Sequence, residues 1–306
     1  MLVKSRHWFW FLVLLSCAFI SSCEKEIKLA VEDQPAKVVV DARIENDQPP
    51  VVVLSNSLKY FSKINPEELA ASFIHDADIT VSNGSLTHKL REYSQTDDSS
   101  GYIVYFYTVD SSDLSTAFVG RFNSSYQLHI TTPDGKKYQA ETRITSVKKT
   151  CDSLWWMEPP ENVKDRTLAV VMGRFTDPKG YGDYVRAMTS VNSEPFYTPY
   201  TSVFDDLVTD GTTYNFRVDK SYSRNEERPD ITGDDYGFYK RGDTVTLKLC
   251  NLDKTTFDFW RTWEYSWQAT GNPFSSPIKV LGNVSNNALG AFYGYAAQYR
   301  TIIIPK

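Results

Sequence analysis

The sequence is poor in the residues that most often announce chemistry. Its 306 residues include only four cysteines and four histidines. Beyond the N-terminal segment the histidines are His75, His88 and His129, with no HExxH and no i,i+4 pair, so a metalloprotease has no ligand set. No GxSxG, GxxxxGK[ST] or GxGxxG run occurs, and nucleophile-elbow hydrolases and nucleotide enzymes therefore lack their local devices. Basic excess is missing too: 33 Lys and Arg stand against 38 Asp and Glu, a formal charge of −5. That balance gives no means of neutralising phosphates and excludes nucleic acid as a partner. The uninterrupted apolar stretch from Trp8 to Ile20 falls short of the roughly 20 residues that a membrane-spanning helix needs. The reading is not an enzyme; a hydrolase with a dispersed acid/base pair is the least favoured rival, and no residues can be named for it.

What is present begins with an address. Residues 1–22 read as a signal peptide, with Lys4 and Arg6 ahead of the apolar stretch and Ser21 and Ser22 at its exit. Ile20-Ser21-Ser22-Cys23 resembles a bacterial lipobox, in which Cys23 takes a diacylglycerol, the chain is cut before it, and the new amine is acylated with a palmitate-type chain. A secretory peptide with a chance cysteine, or an uncleaved anchor, is the plainer alternative. Several acyl chains anchor a protein stably without a transmembrane helix. Residues 23–36, beginning with Glu24, Lys25 and Glu26, read as a lipidated flexible tether. With Cys17 in the signal and Cys23 lipidated, Cys151 and Cys250 remain in an oxidising compartment, either as a disulfide or as two buried thiols. A bridge would close a loop of about 100 residues, worth about 4 to 5 kcal/mol in the chain-entropy model.

The rest of the chain reads as mainly β. Alternation over Lys37–Ile44, Val51–Leu58, Ala77–Ser82, Leu86–Leu90, Tyr102–Tyr107 and Tyr126–Thr131, each bounded by turn residues, predicts a β-sandwich. The clearest hairpin is Tyr126 to Thr142 around Pro133-Asp134-Gly135, where Pro pre-sets the turn and Gly supplies positive φ. The stretch from Tyr126 also resembles the strand that carries a tyrosine corner in immunoglobulin-like domains. Cys151 to Pro160 reads as a proline-terminated connection, which puts a domain boundary near Lys149, between residues 37–149 and 150–306. Strands then fit Thr167–Phe175, Tyr184–Val191, Thr213–Val218 and Thr244–Leu249, and finally Ile278–Leu281, Ala288–Tyr295 and Tyr299–Ile304. Between them, residues 253–269 read as a helix whose stripe of Phe257, Trp260, Trp263 and Trp267 reads as core. The expected fold is two immunoglobulin-like sandwiches with one aromatic helix in the second.

Two clusters stand out as candidate sites. Asp205, Asp206 and Asp210 in one loop and Asp230, Asp234 and Asp235 in another offer hard oxygens that calcium would accept if the loops converged; solvated Asx turns are the bland reading. Trp155 and Trp156 beside Pro159-Pro160, with Tyr197 and Tyr200 on a proline-punctuated loop, could stack on sugars or anchor a partner. No other cofactor is expected.

In order along the chain, Val38-Val39-Val40-Asp41, Tyr126 with Pro133-Asp134-Gly135, Asp152-Ser153-Leu154, Phe175-Thr176-Asp177-Pro178, Phe204-Asp205-Asp206, Arg241-Gly242-Asp243-Thr244-Val245 and Asn272-Pro273-Phe274 form a set. Together they resemble the outer-membrane lipoprotein family catalogued as domain of unknown function 4249. That resemblance implies a lipid-anchored outer-membrane protein, facing the cell surface or the periplasm, that assists a TonB-dependent β-barrel transporter or presents ligand to it. It carries over no catalytic residue. The alternative is a free-standing envelope module for a glycan, peptide or small molecule.

Overall fold

The computed structural model of the chain describes residues 35–58, 65–96, 101–224, 233, 236–270, 272, 275–276 and 278–306. The signal segment, Cys23, the tether to residue 34, and Asp230, Asp234 and Asp235 lie outside the described residues. Mainly β architecture is what the alternation predicts and what the structure has.

The first half contains β1 (Val38–Glu45), β2 (Val51–Asn56), α1 (Pro66–Ser72), β3 (Asp78–Ser82), β4 (Thr87–Thr96), β5 (Ile103–Val109), β6 (Ser124–Thr131) and β7 (Lys137–Ile144). Period-two alternation sends Val38, Val40, Ala42 and Ile44 of β1 into a core shared with Ile79 and Val81 of β3, Leu128 and Ile130 of β6, and Tyr138 and Ala140 of β7. β4 joins the layers, pairing with β3 through Thr87–Lys89 and with β5 through Leu90–Thr96. The β6–β7 hairpin turns as expected, with Gly135 at φ +82° and its N–H donating to Thr132 O at 2.8 Å. Tyr126 is buried, and its hydroxyl accepts the Arg121 N–H at 2.6 Å, the back-reach that defines a tyrosine corner. Helix α1 was not anticipated, although Asn65-Pro66-Glu67-Glu68 spells its start: Asn65 Oδ1 accepts the Glu68 N–H at 2.8 Å and Pro66 opens the first turn.

The second half contains β8 (Thr150–Met157), β9 (Leu168–Thr176), β10 (Tyr184–Val191), β11 (Val203–Phe204), β12 (Thr213–Val218), β13 (Tyr239–Lys240), β14 (Thr244–Leu252), α2 (Lys254–Ala269) and β15 (Leu289–Ile303). The segment expected to be a connection is strand β8, paired antiparallel with β9 and ended by Pro159-Pro160. Segment 278–281 is not a strand; it runs beside α2, where Thr262 Oγ1 accepts the Leu281 N–H at 3.0 Å. Strands β8, β9, β12 and β13 form a smaller sheet over β10 and β14, and Ala169, Val171, Val185, Leu247 and Leu249 fill the space between.

The two expected closing strands are a single strand, β15, and this changes the domain picture. Its residues Leu289–Tyr295 pair in parallel with β1, and Ala296–Ile303 pair antiparallel with β14. The strand order β11-β10-β14-β15-β1-β2-β5-β4-β3-β6-β7 therefore runs from one half of the chain into the other. Residues Ala36–Lys306 form one compact unit, so no break falls at Lys149, which is itself buried. Phe292 and Ala296 complete the first core, and Gly294 lets β15 approach β7, since a Cβ there would lie 2.5 Å from Arg143 O.

The opposite face of this sheet carries α2. Asp253 caps it by accepting the Thr256 N–H at 2.7 Å. Phe257 and Phe259 pack on Met188, Cys250, Leu252, Tyr293 and Tyr295. Cys151 of β8 belongs to the core between the sheets, whereas Cys250 of β14 faces the helix side, since its neighbour Leu249 takes the core side and adjacent residues of a strand point to opposite faces. Both are free thiols, so the disulfide considered from the sequence is absent.

Candidate functional site

Beside α2, the helix-side face of the sheet opens into a cavity of about 720 Å³. Register explains its lining. Arg43 lies opposite Tyr293, and Glu45 opposite Tyr295, in the β1–β15 pairing; Lys248 lies opposite Tyr299 in β14–β15 and opposite Met188 in β10–β14. One face thus gathers Arg43, Glu45, Arg186, Lys248, Tyr293, Tyr295 and Tyr299 from strands distant in sequence. Trp260 and Trp263 of α2 and the segments holding Tyr197 and Arg224 close it.

Charge and aromatic rings are interleaved. The Arg186 guanidinium carbon is 3.3 Å from the Trp260 ring centroid; Nη1 donates to the Tyr295 hydroxyl at 2.5 Å and Nε to Ser202 Oγ at 3.2 Å. Arg224 lies 4.3 Å from the Trp267 ring and 5.1 Å from that of Trp263, and pairs with the buried Glu264 at 3.3 Å. Burial lowers the pKa of Arg224 from its ordinary value while Glu264 opposes the shift. Lys248 is ion-paired with Glu45, which also accepts the Tyr299 hydroxyl. Burial raises the pKa of Tyr293, Tyr295 and Tyr299, so these rings stay neutral and their hydroxyls remain donors.

Four cations and one carboxylate, Glu45, line this cavity in an acidic protein. Among the described residues neither Arg43 nor Arg186 is ion-paired. Two buried donors of the lining, Trp260 Nε1 and Arg224 Nη1, have no hydrogen-bond partner among the described residues. Buried donors are nearly always satisfied in native proteins, so these two mark where acceptors from a ligand would fit. The arrangement suits a molecule with a ring to stack and an anionic, acceptor-rich group to pair.

The residues singled out from the sequence are dispersed. Tyr197 lines the cavity, bridged to Thr189. Tyr200 packs on Trp267 at 5.9 Å. Trp156 packs on the core of the smaller sheet, beneath Arg241 at 4.7 Å, so the β10–β14 layer separates it and neighbouring Trp155 from Tyr197. These four aromatics do not form one surface. The helical tryptophans, read as core, are half-buried, and Trp260 and Trp263 supply the cavity wall. Asp205 accepts the Leu207 N–H and Asp210 the Gly180 N–H, whereas the buried Asp206 accepts the N–H groups of Gly182 and Asp183. Sequence reasoning missed Arg43, Arg186 and Lys248 because single charges in alternating strands look like solvent-facing positions, and Arg224 because it lies in a turn outside any strand.

A second cavity, of about 580 Å³, lies between β10, β12 and α2, rimmed by the exposed Val208, Phe216 and Tyr265. Among the described residues no helix is long and apolar enough to cross a membrane.

No curated protein matches the chain. A family model described as Domain of unknown function (DUF4249) matches residues 24–301, and the chain belongs to that family.

Proposed function

We propose that this protein is a lipid-anchored outer-membrane protein that binds an acidic glycan in the cavity between α2 and the sheet and presents it to a TonB-dependent transporter. The observation that carries the binding half is the cavity's pairing of stacked rings with two guanidiniums, Arg43 and Arg186, that have no carboxylate partner among the described residues. The apolar faces of sugar rings stack on Trp and Tyr, and a uronate carboxylate or a sulfate matches the planar fork of Arg. Anchoring is supported by the lipobox-like sequence ending in Cys23. The transporter role is supported by what the resemblance implies and by the exposed apolar side chains of Leu207, Val208, Phe216 and Tyr265, a rim suited to a protein partner.

Isothermal titration with oligogalacturonate, the neutral parent oligosaccharide and an acidic peptide tests the binding half. Heat with the uronate alone, weakening as salt is raised, is expected; heat with the peptide alone transfers the site to peptides, and no heat with any of the three removes it. Purification of the tagged protein from its native outer membrane, with mass spectrometry of co-purifying chains, tests the other half. A stoichiometric β-barrel supports presentation to a transporter, and recovery of the lipoprotein alone after crosslinking favours a free-standing binding module. Cys23→Ala is expected to release the protein from membranes.

A further inference from the structure

Asp177 at the end of β9, Asp183 ahead of β10 and Asp206 after β11 converge behind the second cavity. All three are buried, and one carboxylate oxygen from each lies within 4.8 Å of the others. Oxygens that share a calcium ion at about 2.3 to 2.6 Å fall within about that distance of one another. Each carboxylate has one oxygen committed to the protein. Asp206 Oδ2 accepts the N–H groups of Gly182 and Asp183 at 2.8 and 2.9 Å; Asp183 Oδ1 accepts Lys148 Nζ at 2.6 Å; Asp177 Oδ2 is ion-paired with Lys149 Nζ at 2.8 Å and accepts the Thr209 hydroxyl at 2.7 Å.

A separate observation concerns what is left over. Asp177 Oδ1, on the same carboxyl group, is buried with no hydrogen-bond partner among the described residues. Lys149 cannot supply one, since its ammonium is already engaged by Asp177 Oδ2, the Asp205 carbonyl at 3.3 Å and the Thr209 hydroxyl at 3.1 Å. Three carboxylates face two lysines, one of them half-exposed, which leaves the cluster one negative charge in excess. A buried carboxylate oxygen without a donor, in a cluster with one negative charge in excess, is costly unless a further cation meets it.

We infer that Asp177, Asp183 and Asp206 form a binding site for a divalent cation of the calcium type. The ion ties the β9–β10 turn to the loop after β11, and so fixes the wall from which Lys149 and Phe204 face the second cavity. The site is independent of the glycan cavity, which lies on the other face of the β10–β14 layer.

The test uses the full-length protein in detergent, stripped with EGTA and dialysed against calcium, with bound metal measured by mass spectrometry. One calcium ion per chain and a melting temperature that rises with free calcium are expected. Asp206→Asn and Asp183→Asn keep an oxygen to accept the loop N–H groups and the lysine, so both variants remain folded; each is expected to weaken calcium binding at least about tenfold. Absence of bound calcium at millimolar concentration, or unchanged binding in the double variant, overturns the inference and leaves Lys148 and Lys149 as the cations that meet these carboxylates.

Discussion

Arg43 and Tyr293 are register partners in the parallel pairing of the first strand with the last, β1 with β15. Tyr293 is buried and donates its hydroxyl to Asp41 Oδ1 at 2.5 Å, while Arg43 reaches the cavity without an ion-pair partner among the described residues. The pairing that closes the fold thus also places a guanidinium at the binding cavity.

Arg43→Ala separates binding from stability. The side chain carries no hydrogen bond among the described residues, but while burial lowers its pKa, Tyr293, Asp41, Tyr295 and Glu45 raise it further, so a modest loss of about 1 kcal/mol of unfolding free energy is expected. Affinity for an anionic probe is expected to drop about 10- to 100-fold, the loss of one charge-assisted contact. Chemical denaturation and calorimetry on the same preparation check both; equal affinity would take Arg43 out of the site.

Tyr126→Phe tests the corner that ties β6 to the chain before it. The substitution keeps the ring, stacked on Phe118 at 6.0 Å, and removes the acceptor of the Arg121 N–H. A loss of about 1 to 2 kcal/mol is expected, read as a lower urea midpoint at constant m-value.

The cysteines give a redox prediction. Burial pushes the Cys151 thiol up to about 11 and the Cys250 thiol up to about 12. Only the thiolate reacts, so both are expected to resist alkylation at pH 8 while the protein is folded and to react once it is unfolded. Gel mobility should not change with reductant; a shift, or a mass showing no free thiol after unfolding, would reinstate the bridge.

The β6–β7 turn makes a statement about acid. Hydrogen bonds from Lys136 and Thr132 hold the Asp134 carboxyl down to about 2. Because this lies below the unfolded value of about 3.9, the turn's contribution is complete above that pH and fades as pH falls through about 2. Carbon-detected NMR titration should place the Asp134 midpoint near 2; a value near 4 would show that the turn contacts do not form in solution.

Local chemistry was legible from the sequence alone. The β6–β7 hairpin follows from alternation and from Pro133-Asp134-Gly135, and α2 follows from Asp253 and the spacing of its aromatics, since turn and cap preferences act within a few residues. Asn65-Pro66 was an equally local signal for α1. The lipobox-like Cys23 likewise belongs to the sequence alone. What the tertiary structure decided is every long-range pairing. Alternation gives each strand two faces but does not name its neighbour, so nothing in Leu289–Ile303 says that it joins β1 to β14 and merges two expected domains. For the same reason Arg43, Arg186, Lys248 and Trp260 become one cavity, and Asp177, Asp183 and Asp206 one cluster, only when register brings distant residues to the same face.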